Sequence, residues 1–376
     1  MSPEPSQQTP HQPGQPGFEH VPGTDPIGGQ AARMWDAGMG SRTGGNKDGR
    51  RRRRGDVNAV VPDAEFRSYY GRAVLKPPVW THEIAYYLFS GGLAAGSSLL
   101  AAVADAHGDV FARRALRTTS LTAVGASAYF LIADLGRPER FYNMLRVAKV
   151  TSPMSVGTYI LSVFGPLSGA AAVAELGALL PERGALGLLR RVAGPAGSLA
   201  GVGAAVTGPL LATYTAVLFA DTAVPSWHEP YRELPFVFGG SALAAGSGAA
   251  LLLAPVSQTG SAARLAAIGA TVELAAAHRM ETAHGLVSEP FHLGRPGRFL
   301  TAARTLTVAG AAGGIAARFL PRRAARVVSA LSGASLLTGS FLTRMAVFEA
   351  GVVSTKDPKY VVVPQRERLE ARQRAS

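Results

Sequence analysis

The 376-residue chain contains no cysteine. Without thiolates the chain cannot itself form a disulfide, a cysteine-ligated iron–sulfur cluster or a catalytic thiol, so any such cluster must belong to a partner. Charge is also sparse, at 17% of residues, and aromatic residues make up only 7%. A soluble helical enzyme needs charged faces at helical period, and most of the apolar segments in this chain have none. The composition therefore disfavours a soluble enzyme.

The first 80 residues lack the apolar core of a signal peptide. They are rich in Gly, Pro, Gln and Arg, which predicts a disordered tail over residues 1–79. This tail contains the basic block Arg50–Arg54, and the whole chain has a net charge of +13. Beside a membrane, such a block contacts anionic lipid and holds the tail in the cytoplasm. We therefore expect membrane lipid, and no nucleic acid, as its partner.

Long apolar runs occupy residues 84–349, which consist mainly of Ala, Gly, Leu and Val. About 18 such residues are enough to cross a bilayer. Four runs reach that length and four more are shorter or interrupted: Ile84–Ala104, Val150–Ala174, Val192–Ala220 and Leu234–Ala263, then Thr118–Ala133, Leu265–His278, Thr305–Ala317 and Val327–Thr343. The pattern predicts an all-α integral membrane protein with about eight transmembrane helices.

Two motifs occur twice in the same order. Leu-Ala-Ala-Gly-Ser is found at Leu93–Ser97 and Leu243–Ser247, and Leu-Gly-Arg-Pro-x-Arg-Phe at Leu135–Phe141 and Leu293–Phe299. The similar spacing of the two pairs indicates an internal duplication. We name the second motif the LGRP turn, because its Gly and Pro end one predicted helix before the next begins.

The duplication predicts two parallel-repeat four-helix bundles, at residues 80–230 and 231–350, followed by a C-terminal tail at 351–376. Because each half has an even number of helices, both chain termini and both LGRP turns lie on one face of the membrane. The basic residues of both tails favour the cytoplasm for this face.

Unusual polar residues gather at the helix ends on this face. His82 and Glu83 open the first helix, with Tyr86 one turn further, and Tyr214 lies in the last turns of the fourth helix. Ionisable residues near membrane depth are candidates for a functional site. Trp227, just after the fourth helix, is either an anchor in the membrane interface or part of such a site.

Asp134 ends the second helix, directly before the first LGRP turn. A carboxylate is disfavoured at a helix C-terminus, and an ion pair with Arg137 three residues later would offset this. The second LGRP turn is preceded by His292 instead of an acid. Any chemistry at these turns is therefore expected in the first half.

The sixth predicted helix carries Glu273, His278, Glu281 and His284. The pair Glu281-x-x-His284 has the spacing of di-iron ligands, but no second copy accompanies it. A haem with two histidine ligands would need both at matched depth. We therefore expect no metal and no haem, and interpret this helix as carrying either a proton path or polar contacts between helices.

Four segments together resemble the NrfD/polysulfide-reductase membrane-subunit family: GGLAAGSSLL, DLGRPERFYNMLRV, TSPMSVGTYIL and YTAVLFADTAVPSWHE. The similarity runs through residues 60–365 and is strongest in 80–235. The flanks VPDAEFRSYYGRAVLKPP and DPKYVVVPQRERL resemble those of actinobacterial members that accompany formate-dehydrogenase-like enzymes.

The resemblance implies a membrane anchor and quinone-binding subunit of a molybdopterin/iron–sulfur oxidoreductase complex of anaerobic respiration in the cell membrane. Its partners would be a four-cluster iron–sulfur subunit and a molybdopterin catalytic subunit. Electrons would pass between the iron–sulfur subunit and the quinone pool, with menaquinone expected. The chain itself would hold no haem, iron–sulfur cluster or metal, and only the quinone reaction would take place on it.

The resemblance places His82, Tyr214 and Asp134 in the quinone pocket. From their positions near the helix ends and in the sixth helix, we add Tyr86 to quinone binding and expect a proton relay through Glu83, Asp134, Glu273 and Glu281. Partner docking or structural support is expected from Arg137, Arg140 and Trp227. Two alternatives remain open. A proton-coupled transporter would also suit parallel repeats with intramembrane Glu and His, and a purely structural anchor would have no quinone site.

Overall fold

The structure is a computed structural model that describes residues 74–146, 148–179 and 181–375. Most of the predicted N-terminal tail, including Arg50–Arg54, lies outside the described residues. Within them the secondary structure is entirely helical, and eight of the helices have 20 residues or more. The helices are α1 His82–Ala106, α2 Val110–Asp134, α3 Phe141–Arg146, α4 Pro153–Ala174, α5 Gly184–Ala220, α6 Pro225–His228, α7 Leu234–Leu253, α8 Gly260–Thr282, α9 Gly294–Ala316, α10 Arg322–Lys356 and α11 Lys359–Ala375.

Six of the eight long helices in the described chain are long and apolar enough to cross a membrane: α1, α4, α5, α7, α9 and α10. The other two, α2 and α8, have 25 and 23 residues but contain no equally long apolar stretch. The predicted all-helical membrane fold is confirmed. Helix α10 continues past the predicted end of the second half at residue 350, and α11 occupies most of the predicted C-terminal tail.

The apolar run Leu234–Ala263 is not one helix, as the sequence suggested. Helix α7 ends at Leu253 and α8 begins at Gly260, with a turn between them. The break lies at Pro255, which has no amide hydrogen and forces Ala254 before it into the extended conformation (ψ 154°). Uncharged residues in this turn had hidden the boundary, because hydropathy does not distinguish an apolar turn from an apolar helix.

The two halves pack in the same way. Helix α1 packs against α2 and α5 as α7 packs against α8 and α10, and α4 packs against α5 as α9 packs against α10. The halves meet where α1 crosses α7. At the crossing Gly96 of one Leu-Ala-Ala-Gly-Ser motif contacts Gly246 of the other, and a Cβ on either would overlap the backbone of the opposite helix. Small residues allow this close approach in a membrane interior, so the repeated motif marks the contact between the repeats.

Candidate functional site

A groove lies between α1, α2 and α10, with a cavity volume of about 390 Å³. We call it the aromatic groove. Its walls come from four residues of α1, four of α2 and one of α10: Tyr86, Phe89, Ser90 and Leu93; Thr122, Ala123, Ala126 and Phe130; and Phe341. Predicted site residue Tyr86 thus lines a cavity whose surface is mostly apolar.

Tyr86 and Phe89 of α1 contact aromatic rings of α2 and α10. The Tyr86 ring stacks on Phe341, with ring centres 5.9 Å apart and planes 13° apart, and it meets Phe130 at 5.4 Å and 57°. Phe89 contacts Phe341 edge-on at 5.5 Å. Offset stacking and edge contacts are the favoured aromatic geometries, so the groove presents ordered ring faces and edges.

Towards the start of α1, beyond the residues that line the groove, lies a cluster of polar side chains that we call the polar end. His82 precedes Tyr86 by one helical turn, and Phe348 follows Phe341 by two turns on α10, so each pair shares one face of its helix. The ring centres of His82 and Phe348 are 5.6 Å apart. The next residue of α10, Glu349, places Oε1 3.7 Å from His82 Nε2 and 3.4 Å from Arg295 Nη2. An acid, an imidazole and a guanidinium therefore meet beside the aromatic groove.

Asp134 lies beside this polar end, but its partner is not the predicted one. Its Oδ1 accepts hydrogen bonds from the Thr81 amide (3.1 Å) and from the Thr81 hydroxyl (2.9 Å). Gly136, with φ +65°, turns the chain after α2, and Arg137 is exposed. Asp134 therefore ties the end of α2 to the residue before His82, and no bond joins it to Arg137 among the described residues.

Not every predicted site residue lies at the groove. Tyr214 of α5 packs against Gly157 of α4, where a Cβ would overlap the tyrosine ring, and it does not line the groove. Glu83 is half-buried in the first turn of α1, next to His82. Arg140, like Arg137, is exposed in the turn after α2.

Trp227 is fully buried among the helices. Its indole nitrogen donates a hydrogen bond to the Val347 carbonyl (2.7 Å), and its ring stacks on Phe219 with centres 4.2 Å apart. Gly351 provides the space, because a Cβ there would overlap the indole. These contacts place the indole between α5, α6 and α10.

The two glutamates of α8 have separate partners. Glu281 binds Arg304, whose Nη2 donates to both carboxylate oxygens (2.6 and 2.8 Å). Glu273 is buried in the bundle and accepts a 2.6 Å hydrogen bond from the Thr343 hydroxyl. Beside Thr343, the buried Arg344 donates to the Phe238 carbonyl (2.9 Å) and lies over the Phe238 ring. Both glutamates therefore connect helices.

Sequence analysis missed several residues of these sites. Arg344 directly follows the run Val327–Thr343. A charged residue directly after an apolar stretch could have been recognised in the sequence as a candidate for polar contacts inside the bundle. Phe341, Phe348 and Glu349 recur at helical spacing on α10, but only the fold brings that face against α1. A second missed cluster lies at the opposite end of the first half, where Arg113 and Arg117 bind Asp105 and Glu175.

The long apolar helices define a multi-pass helical membrane protein. The family model described as polysulphide reductase, NrfD, matches residues 73–288, more than half of the chain. The chain belongs to the NrfD family, whose members are membrane subunits of molybdoenzyme complexes. A comparison with curated proteins found no match. The family match ends before α9 and α10, and so before Arg295, Phe341 and Glu349.

Proposed function

We propose that this chain is the quinone-handling membrane subunit of its complex, and that the aromatic groove is the quinone site. The observation that carries the proposal is the order of chemistry along the groove. Stacked aromatic rings line the groove, and His82, which faces Glu349 at 3.7 Å, lies one helical turn before Tyr86 on α1. Binding sites for small molecules are mostly apolar with a few polar groups that fix orientation.

The residues present fit a quinone. Its planar ring needs flat apolar walls, which Tyr86, Phe130 and Phe341 supply, and its oxygens need hydrogen-bonding groups at one end. When bound, a quinone takes up two electrons and two protons. His82 is placed to orient an oxygen and exchange protons. Asp134 holds Thr81, and through it the start of α1, in place.

The partners follow from what the chain lacks. Because it has no cysteine, any cysteine-ligated iron–sulfur cluster must belong to a partner. We propose that electrons arrive from a docked iron–sulfur subunit with four clusters, which connects to a molybdopterin catalytic subunit. Exposed Arg137 and Arg140, in the turn after α2, are proposed docking residues on the same face as the polar end. We further propose that this face, with both termini, is cytoplasmic and that the membrane is the cell membrane.

The first test compares Tyr86 with its counterpart in the other repeat. Phe236 stands 150 positions later, at the same place relative to the second Leu-Ala-Ala-Gly-Ser motif, and is 62% exposed outside the groove. We expect Tyr86→Leu to weaken binding of a hydroxyquinoline N-oxide quinone analogue up to about tenfold, because it removes a ring face on which the analogue would stack, a contact worth about 0.5–1.5 kcal/mol. Phe236→Leu is the control and should bind as the wild type does. Affinity is measured by fluorescence titration of the protein in nanodiscs, and equal affinities for all three proteins would contradict the proposed site.

A further inference from the structure

Glu349 has an incomplete set of partners. Its side chain is 12% exposed, and Oε1 is buried without a hydrogen bond in the described part of the chain. Two cationic or protonatable groups nevertheless face this oxygen, His82 from α1 and Arg295 from α9, at 3.7 and 3.4 Å. At these distances the groups attract each other electrostatically, but both distances are longer than that of a well-formed hydrogen bond. Glu349 Oε1 is therefore buried and lies near two groups that attract a negative charge. It has no hydrogen-bond partner among the described residues and is free to accept or give a proton.

We propose that Glu349 is the proton donor of the quinone site, an inference that rests on the proposed function. Glu349 gives its carboxyl proton to a quinone oxygen as the iron–sulfur partner supplies electrons: the carboxyl O–H bond breaks and an O–H bond to the substrate forms. Arg295 stabilises the carboxylate that remains. His82, which is 52% exposed, returns a proton from water. Repeating the cycle delivers the second proton, so two electrons and two protons are used for each quinol formed.

The second LGRP turn contributes a residue to this site. Arg295 is the arginine of that turn, and its guanidinium reaches Glu349 from the start of α9. Arg137, the matching arginine of the first turn, is exposed and does not bind Asp134, which accepts hydrogen bonds from Thr81 instead. The site is thus assembled from both repeats: α1 and α2 supply the groove and His82, while α9 and α10 supply Arg295, Phe341 and Glu349.

Three variants test the donor role in the purified complex. Glu349→Gln keeps the size of the side chain but cannot release a proton, so we expect quinone-coupled turnover with a reduced viologen donor and a short-chain naphthoquinone to fall at least tenfold. Affinity for the quinone analogue should stay within twofold, which also shows that the variant is folded. Glu349→Asp should recover part of the turnover. Infrared difference spectra of quinone reduction should lose a carboxyl band in Glu349→Gln.

Matched variants separate this role from a structural one. Glu289→Gln removes a carboxylate that pairs with Lys359 away from the groove, and it should turn over as the wild type does. Arg295→Gln should move the pH limb of turnover upwards, because a carboxylate without its cation holds its proton to higher pH. If Glu349→Gln does not fold, the pH profile of Arg295→Gln tests whether Glu349 donates the proton.

Wild-type turnover and an unchanged carboxyl band in Glu349→Gln would overturn the inference, as would an unchanged pH profile in Arg295→Gln. If these results came together with weakened binding in Tyr86→Leu, the quinone site would stand and only the donor would be wrong. Unchanged binding in Tyr86→Leu would instead remove the site itself.

Discussion

At the residue scale, two glycines determine how closely the repeats approach. Gly96 and Gly246 lie against each other's backbone at the crossing of α1 and α7. In a bilayer, hydrophobicity does not drive helices together, so close packing of small residues contributes much of the association. Ser97 and Ser247, the next residues of the two motifs, are fully buried as well. The crossing is therefore sensitive to a single added methyl group.

Gly96→Ala tests this sensitivity. Its new Cβ would overlap the Ala242 carbonyl, so we expect a loss of about 1–3 kcal/mol of stability, as for overpacked cores. Gly125→Ala is the control, since a Cβ at this exposed position of α2 meets nothing within 4 Å. It should stabilise the protein by up to about 1 kcal/mol through helix propensity. Opposite shifts of the unfolding midpoint in detergent are expected, and equal shifts would show that the crossing tolerates a methyl group.

At the element scale, α2 is fastened at both ends. Asp134 joins its C-terminal end to Thr81, and Arg117 joins its N-terminal part to Asp105 of α1 and to Glu175 after α4, at 2.9 and 2.8 Å. This matters for the aromatic groove, because α2 contributes one of its walls. The second fastening lies far from the polar end and so has a structural role.

Arg117→Ala should destabilise the bundle strongly. Arg117 is only 5% exposed, and its removal leaves two carboxylates short of a partner, which costs about 3–5 kcal/mol for a buried pair. Arg114→Ala is the matched control on the same helix. Arg114 is 45% exposed and makes a single bond to Glu175, so its loss should cost about 0–1 kcal/mol. Unfolding by denaturing detergent measures both variants, and similar losses would contradict a structural role specific to Arg117.

At the scale of the whole molecule, α1 and α10 are antiparallel neighbours. His82 at the start of α1 contacts Phe348 near the end of α10, while Tyr86 and Phe89 contact Phe341 further in. The start of the first long helix and the end of the last therefore lie at the same membrane face. This agrees with an even number of crossings, whether the six apolar helices or all eight long helices of the described chain cross the membrane.

The absence of cysteine makes this topology directly testable. Single cysteines at exposed Lys76 and Arg372 should react with an impermeant maleimide from one side of sealed vesicles. Cysteines at exposed Glu182, in the turn before α5, and at exposed Arg323, in the first turn of α10, should react only from the other side. The unaltered chain provides the background. Labelling of Lys76→Cys and Arg372→Cys from opposite sides would mean an odd number of crossings.

The sequence by itself determined the membrane class, the eight long helices, the internal repeat and the cluster of His82, Tyr86 and Asp134 near one face. These depend on composition, hydropathy and motif spacing, which are local properties of the chain. Hydropathy placed one boundary wrongly, at Pro255, because an apolar turn resembles an apolar helix over a window of several residues.

Only the tertiary structure decided what surrounds those residues. It joined Asp134 to Thr81 rather than Arg137, placed Tyr214 beside Gly157, and brought Phe341, Glu349 and Arg295 of the second repeat against α1. Contacts between helices more than 200 positions apart depend on how the two repeats cross. The crossing of Gly96 and Gly246 sets that geometry, and the spacing of residues along one helix carries no information about the helix that lies beside it.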